Sequence, residues 1–494
     1  MGRGSYVNGA WRAVAAPDGE IVRMNPARLA EEVGRELWAV GEVDAAVSAA
    51  RAARRGWDRL GFQGRAAVLG RLGEEITRRK EALARQIALE VGKPLWEAAG
   101  EVAAMVNKIA IMVGEGARFT ADFSPSGVAG AMTWRPLGVA AVLGPFNFPL
   151  HLPHGHIVPA LLMGDTVVFK PSEWAPGCAA LYMECVDAAG FPAGVVNMVH
   201  GPGPVGAALV ADPRVDAVMF TGSYATGLRI KQATLLQPHK LLALELGGKN
   251  TSIVLDDANV EQAAYEILQA AFLTCGQRCS ATSRVVLADS IADVFEVRFL
   301  ELVERVTTGD PLKEDVFMGP LIHEAAYNKF IASQSDDEGG KLEALVRGEA
   351  TRPELGGCFV RPGVWRAREV DARGSHQAEE IFGPDVVLYR ASSEEQAAQI
   401  ANATDYGLAM SVFTAQRARY EELCYELEAG LINWNRSTAG ASSALPFGGI
   451  KRSGNHRASA LLAGQYSGYP QARMYAEAGW GEAQASAAPF KYLR

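Results

Sequence analysis

From Gly138 onward the chain sets short apolar runs against helix-length segments, and this alternation restricts the fold more than any other feature. The runs at 139–143, 166–169, 195–199 and 217–220 are almost wholly apolar. A strand exposed on one face alternates apolar and polar residues, so unbroken runs of this length fit strands covered on both faces of a parallel sheet with crossover helices. A second series opens near 252–255 and continues at 284–288. Two α/β units are therefore expected, changing over near residue 247. At 494 residues the chain is also too long for one ordinary core.

Ahead of these runs, residues 43–115 carry apolar positions at three- and four-residue spacing, such as Ala46, Ala49, Ala50 and Ala53, which predicts helices interrupted at Gly92 and Pro94. A short extended start is expected around 6–11. The segment 128–134 has strand-like composition but runs into Pro136, which marks an excursion from the core. The acidic, glycine-containing stretch 333–340 reads as a surface loop.

The formal charge of -8 arises from 48 basic and 56 acidic residues spread over the whole length without a basic stripe, which argues against a nucleic-acid partner. No stretch approaches 18 uninterrupted apolar residues, and the first dozen residues have no apolar signal core, so a cytoplasmic protein without a membrane partner is expected. The six cysteines lack the paired spacing of a zinc site and are read as reduced thiols, with no metal called for.

Three segments carry candidate chemistry. In Gly276-Gln277-Arg278-Cys279-Ser280, glycine permits an unusual turn ahead of a thiol, expected at a loop-to-helix junction that favours thiolate. Such a thiol can attack an aldehyde carbonyl, and loss of hydride from the adduct leaves a thioester; a small buried cysteine is the commoner alternative. In Leu244-Glu245-Leu246-Gly247-Gly248, an apolar setting raises the carboxyl pKa towards that of a general base for thioester hydrolysis, whereas an ion-paired strand end is the plainer reading. Gly144-Pro145-Phe146-Asn147-Phe148-Pro149 follows a strand, where the Asn147 amide and the Cys279 N–H can stabilise an oxyanion or Asn147 can simply satisfy a turn.

Further segments suit a nucleotide. Lys170-Pro171-Ser172-Glu173 follows the second run and can hold a ribose, with Glu173 favouring NAD because a 2′-phosphate would meet negative charge; an incidental ion pair is the alternative. Gly222, Ser223, Tyr224, Ala225, Thr226 and Gly227 lead from a strand into a helix whose first N–H groups can receive pyrophosphate, although helix capping by Ser223 explains the same residues. Glu380 and Phe382, and the turn 446–449, can enclose a nicotinamide ribose or serve as ordinary turns.

Taken together, in this order and spacing, with Glu245 34 positions before Cys279, these motifs resemble the aldehyde dehydrogenase superfamily over roughly residues 6–476. The resemblance implies an α/β, aldehyde dehydrogenase-like fold: a Rossmann-like cofactor domain (1–117 and 137–246), an α/β catalytic domain (247–447), and a small β oligomerisation element (118–136) joined by a C-terminal return and arm (448–494, with 463–476 pairing). It implies Cys279 as nucleophile, Glu245 as base and Asn147 as oxyanion donor. Lys170, Ser172, Glu173, the 222–227 turn, Glu380 and Phe382 would contact NAD. A homodimer or dimer of dimers is the implied assembly. Asn107-Lys108-Ile109-Ala110-Ile111, the stretch 155–162, Asn433-Trp434-Asn435 and Ser453-Gly454-Asn455-His456-Arg457 are further similar to the subgroup of succinylglutamate semialdehyde dehydrogenases in bacterial arginine catabolism. A small anionic aldehyde is then the implied substrate, and Arg278, Arg436 and Arg457 are its candidate charge partners, each with a structural ion pair as the alternative.

Overall fold

All four early apolar runs become strands of one sheet. The computed structural model describes residues 2–476. Within them Val139–Leu143, Thr166–Lys170, Val196–Met198 and Ala217–Thr221 lie parallel, and Leu241–Glu245 joins at one edge. The antiparallel hairpin Ser5–Val7/Ala10–Arg12 completes seven strands at the other edge. Because successive side chains point to opposite faces, Ala140 and Val142 join the core under the helices Gly61–Arg78, Lys80–Val91, Leu95–Val113 and His151–Met163. Val139, Ala141 and Leu143 instead meet Val43, Ala46, Val47 and Ala50 of the helix Glu42–Arg59. Both faces are dry, which is why the runs are continuous rather than alternating.

The helical reading of 43–115 matches four helices. The third ends at Gly92 in the left-handed region (φ 80°), and Pro94 precedes the fourth. The ribbon Gly19–Asn25/Arg28–Trp38 has no counterpart in the sequence reading. Its second strand is mostly exposed and charged, so it lacks the apolar face that announces a core strand.

The second series forms another seven-stranded sheet, ordered Leu342–Val346, Gly363–Ala367, Asp385–Ala391, Thr282–Ala288, Asn250–Val254, Ala409–Phe413 and Leu431–Trp434. Only its first strand runs antiparallel to its neighbour. Gly130–Pro136 leaves the core and pairs antiparallel with Gly468–Met474 over seven residue pairs. The final part of the C-terminal return, from 477 on, lies outside the described residues. Among those described, no helix is long and apolar enough to cross a membrane.

Two details of topology prepare a site. From Val139–Leu143 the chain moves to Thr166–Lys170 on one side, and from Ala217–Thr221 it moves to Leu241–Glu245 on the other. The two starting strands are neighbours, so their carboxyl ends open the crevice in which α/β sheets bind ligands. The outer edge of Leu241–Glu245 is also closed by the C-terminal return. Asn455 accepts from Leu244 N–H at 3.0 Å and donates to the Leu242 carbonyl at 2.8 Å, and Leu246 N–H donates to the Ser453 carbonyl at 3.0 Å. Without these contacts the edge would leave buried backbone groups unpaired.

Candidate active site

Cys279 sits on a loop between the helix Val260–Phe272 and the strand Thr282–Ala288. The junction is thus loop-to-strand, not the loop-to-helix expected. Thr274, Cys275 and Gly276 occupy the left-handed region in succession (φ 56°, 55° and 68°) and turn the chain sharply. Strain of this kind at non-glycine residues persists only where the surroundings hold it. A Cβ on Gly276 would collide with the Gly383 carbonyl. Glu97 anchors the loop, accepting from the Thr274 N–H at 3.1 Å and from its hydroxyl. Asn250 fixes the other end by donating to the carbonyls of Cys279 (2.7 Å) and Ala281 (2.8 Å).

Glu245 ends its strand and faces Cys279 across a cavity of about 20 Å³ lined also by His151, Lys108 and Phe447. A side chain on Gly248 would strike the Cys279 carbonyl, so the glycine lets the two motifs approach. One Glu245 oxygen has no hydrogen-bond partner among the described residues. Burial drives its carboxyl well above the ordinary range, opposed by the Ser459 backbone N–H and by Lys108. The Cys279 thiol is pushed up to about 12 by burial and by the neighbouring Glu380 and Glu245, against the Ser280 N–H and Arg278. A resting thiolate was expected, but burial first, and then Glu380 and Glu245, favour the neutral thiol.

Asn147, at the end of the first central strand, is 3% exposed and donates from Nδ2 to the Gln277 carbonyl at 2.8 Å, which brings its amide to the Cys279 loop. The second Nδ2 hydrogen is left for another acceptor. The turn that carries Asn147 is clamped from the helix Leu95–Val113. Glu101 accepts from the N–H groups of Leu150 (3.2 Å) and His151 (3.1 Å) and pairs with buried Lys93 at 2.6 Å.

Of the residues expected to contact a cofactor, Lys170 to Glu173 and the 222–227 turn lie at the carboxyl ends of first-sheet strands, while Glu380 and Phe382 border the Cys279 loop. Lys170 ends its strand 3.3 Å from the half-exposed Glu173, and burial lowers the Lys170 pKa against the pull of Glu173. Ser172 accepts from Trp174 N–H at 3.2 Å. Ser223 caps the helix Tyr224–Ala233 by accepting from Thr226 N–H at 3.3 Å. The capping alternative is thus realised, yet it satisfies only one of the first-turn donors, which leaves the N–H groups of Tyr224 and Ala225 without an intrahelical acceptor. Gly222 N–H donates to the Glu245 carbonyl at 3.0 Å, tying this turn to that strand end, and Gly227 packs under Leu246. Glu380 accepts from Gly248 N–H at 2.9 Å, and burial pushes its carboxyl up to about 7. Phe382, at φ 58°, meets Phe146 edge-on with centroids 5.8 Å apart.

The three candidate arginines divide. Arg278 is engaged by Glu97 at 2.6 Å and lies over the Phe148 ring, so its guanidinium supports the cysteine loop. Burial works against the Glu97 charge, but Arg278 and Lys93 hold its carboxyl below the usual range. Arg436 and Arg457 are exposed. Replacing Glu97 by alanine leaves Arg278 buried and uncompensated. Such a loss costs about 3–5 kcal/mol, and the thermal midpoint of Glu97→Ala is expected to fall by several degrees; an unchanged melting curve would remove Glu97 from this role.

Glu97, Glu101 and His151 are site residues outside the motifs, and Lys108 and Asn250 stand within or beside motifs that give them no role of their own. All belong to helices or strands rather than to glycine-marked turns. The one available signal was Lys108, a cation in a helix otherwise rich in apolar residues.

The chain is similar to known proteins over nearly its whole length. The model of the aldehyde dehydrogenase family matches residues 14–467. N-succinylglutamate 5-semialdehyde dehydrogenase of Chromobacterium violaceum is 41% identical over 477 residues, 95% of this chain and 96% of the relative. Aldehyde dehydrogenase C of Pseudomonas syringae, solved with NAD+ and octanal, matches with a TM-score of 0.90 at 32% identity, covering 96% of each chain. An NAD-dependent aldehyde dehydrogenase from Sinorhizobium meliloti gives 0.91 at 30% identity, over 97% of this chain and 96% of that one. A thiol, a buried carboxylate and an amide gathered at the crevice of a double α/β fold, with likeness over nearly the full length, have one explanation: the chain belongs to the aldehyde dehydrogenase family.

Proposed function

We propose that the chain oxidises N-succinyl-L-glutamate 5-semialdehyde to N-succinyl-L-glutamate, with NAD as hydride acceptor and a thioester on Cys279. The facing of Cys279 and Glu245 across a water-sized cavity carries this reading. Cys279 gives its proton to solvent and its sulfur bonds to the aldehyde carbon, while the carbonyl oxygen takes the negative charge. The Asn147 amide and the Cys279 N–H are the donors for that oxygen. NAD, when bound, supplies the hydride acceptor. Glu245 then takes a proton from water, whose oxygen bonds to the acyl carbon; the C–S bond breaks and the leaving sulfur takes that proton from Glu245, which restores thiol and base.

The donor set fits NAD. A lysine-carboxylate pair at the end of Thr166–Lys170 suits ribose hydroxyls, and the Glu173 charge opposes a 2′-phosphate. The first turn of Tyr224–Ala233 suits pyrophosphate.

The substrate is drawn from the Chromobacterium relative's activity and from two exposed arginines, Arg436 and Arg457, for which no ion pair is formed among the described residues. Arg457 lies two positions before Ser459, whose N–H meets Glu245, so its segment borders the site. Comparison of kcat/KM tests the assignment. We expect N-succinylglutamate 5-semialdehyde to exceed simple aliphatic and betaine aldehydes by about 10²-fold, the size of one or two charge-assisted contacts. Preference for an uncharged aldehyde would sink the substrate and leave the family intact.

We further propose that the domain divisions follow the two sheets, with cofactor binding up to residue 246 and catalysis from 247. Among the described residues, Gly468–Met474 pairs with no strand on its outer edge, through which the arm would extend a neighbouring subunit's sheet in a homodimer or dimer of dimers.

A further inference from the structure

One wall of the catalytic cavity carries polar groups that the steps above do not use. Lys108 projects from the helix Leu95–Val113 and is 5% exposed. Its Nζ lies beside the first turns of His151–Met163, where a Cβ on Gly155 would come within 3.4 Å of it. The ammonium forms no hydrogen bond or ion pair among the described residues, and Glu245 is the carboxylate it feels. His151 Nδ1 and Glu245 Oε2 are both buried without partners. Three unpaired polar groups thus surround a cavity of about 20 Å³ that Cys279 also lines, which is room for a single water.

The neighbouring charges single out Lys108. His154 is spent on Tyr182 and the Met105 carbonyl, both at 3.0 Å. His156 is spent on Tyr466 at 2.8 Å and Thr221 at 3.2 Å. Burial and Lys108 itself drive the pKa values of His151, His154 and His156 down, so these rings are neutral. Lys93 and Arg278 are committed to Glu101 and Glu97. Tyr466 and Cys279 carry no charge in their raised states. Glu380, the other carboxylate near Cys279, is turned to the Gly248 N–H.

We propose that Lys108 is a positioning residue for thioester hydrolysis: its ammonium stabilises the Glu245 carboxylate, while Glu245 Oε2 and His151 Nδ1 take the two hydrogens of the attacking water. One water lone pair is then left to face the acyl carbon. His151 accepts through Nδ1 as its Nε2–H tautomer. The sign of the effect is fixed. Burial raises the Glu245 pKa and Lys108 lowers it, so removing the ammonium moves the base to higher pH. Lys108 is itself brought down to about 8 by burial, against the pull of Glu245. The two groups therefore titrate as a pair.

This inference rests on the thioester reading of the site. Its test uses the full chain with NAD and N-succinylglutamate 5-semialdehyde, comparing Lys108→Met and Lys108→Arg by NADH burst and by steady-state turnover from pH 6 to 9. Lys108→Met is expected to keep the burst and to lose about tenfold in turnover near pH 7, recovering at higher pH as the acid limb moves up about one unit. Lys108→Arg is expected to return the limb towards its original pH. If Lys108→Met fails to fold, Lys108→Gln is read in the same way. An unshifted limb overturns the proposal. So does a rise in KM alone, which would make Lys108 a substrate-carboxylate contact, or an equal loss of burst and turnover at every pH, which would make it structural. A Glu245→Gln variant that does not stall after one turnover would defeat the thioester reading. A stall combined with an unshifted Lys108→Met profile defeats only the role of Lys108.

Discussion

Cys279→Ala is expected to lower NADH formation by about 10⁴-fold or more, the scale seen when a covalent nucleophile is removed and only binding and oxyanion donors remain. No other thiol can substitute. Cys275 is 1% exposed and does not line the cavity that Cys279 shares with Glu245, and the four remaining cysteines lie outside this loop. The fold should survive, because the loop is held by Glu97, Arg278, Gln277 and Asn250 through backbone groups and side chains other than the thiol. Intact NAD binding with lost turnover, followed by fluorescence and absorbance, distinguishes loss of chemistry from loss of structure. Turnover within tenfold of the original chain would exclude Cys279 as nucleophile.

Glu245→Gln separates the two halves of the reaction. Glutamine keeps the size of the side chain and an acceptor for the Ser459 N–H, but it cannot take a proton from water. The expected trace is a burst approaching one NADH per site, then a steady rate lowered by about 10²–10⁴-fold, the usual worth of a general base. The burst reports thiol attack and hydride loss; the stall reports hydrolysis. Equal residual rates in Cys279→Ala and Glu245→Gln, without a burst in the latter, would contradict this division.

Much of this arrangement was legible in the sequence because both faces of the central strands are covered. Runs such as 139–143 stand out against the helices between them, and glycines or prolines lie next to or near Asn147, Glu245 and Cys279 in the chain. The thiol, the carboxylate and Asn147 were found in that way, and the structure brings them together. What was not legible depends on contacts distant in sequence. Glu97 reads as an ordinary helical glutamate until the chain 177 positions later folds Thr274 onto it. Lys108 sits in a spacing that also suits a solvated face, and only the approach of His151–Met163 and Glu245 encloses it. The thiolate expectation failed for the same reason. A glycine turn shows that a cysteine can be presented, but not that Glu380, 101 residues further on, will stand beside it. The ribbon Gly19–Asn25/Arg28–Trp38 was hidden by exposure, since its charged surface has no apolar period to read.

The central claim is that the acyl group passes through a thioester on Cys279, and mass spectrometry of the stalled chain tests it most directly. Glu245→Gln mixed with NAD and N-succinylglutamate 5-semialdehyde, quenched in acid after the burst and digested, should carry the N-succinylglutamyl group on the peptide containing Cys279. The same peptide from a Cys279→Ala/Glu245→Gln chain should be unmodified. A full NADH burst with Cys279 left free, or with the acyl group on another residue, would contradict the account.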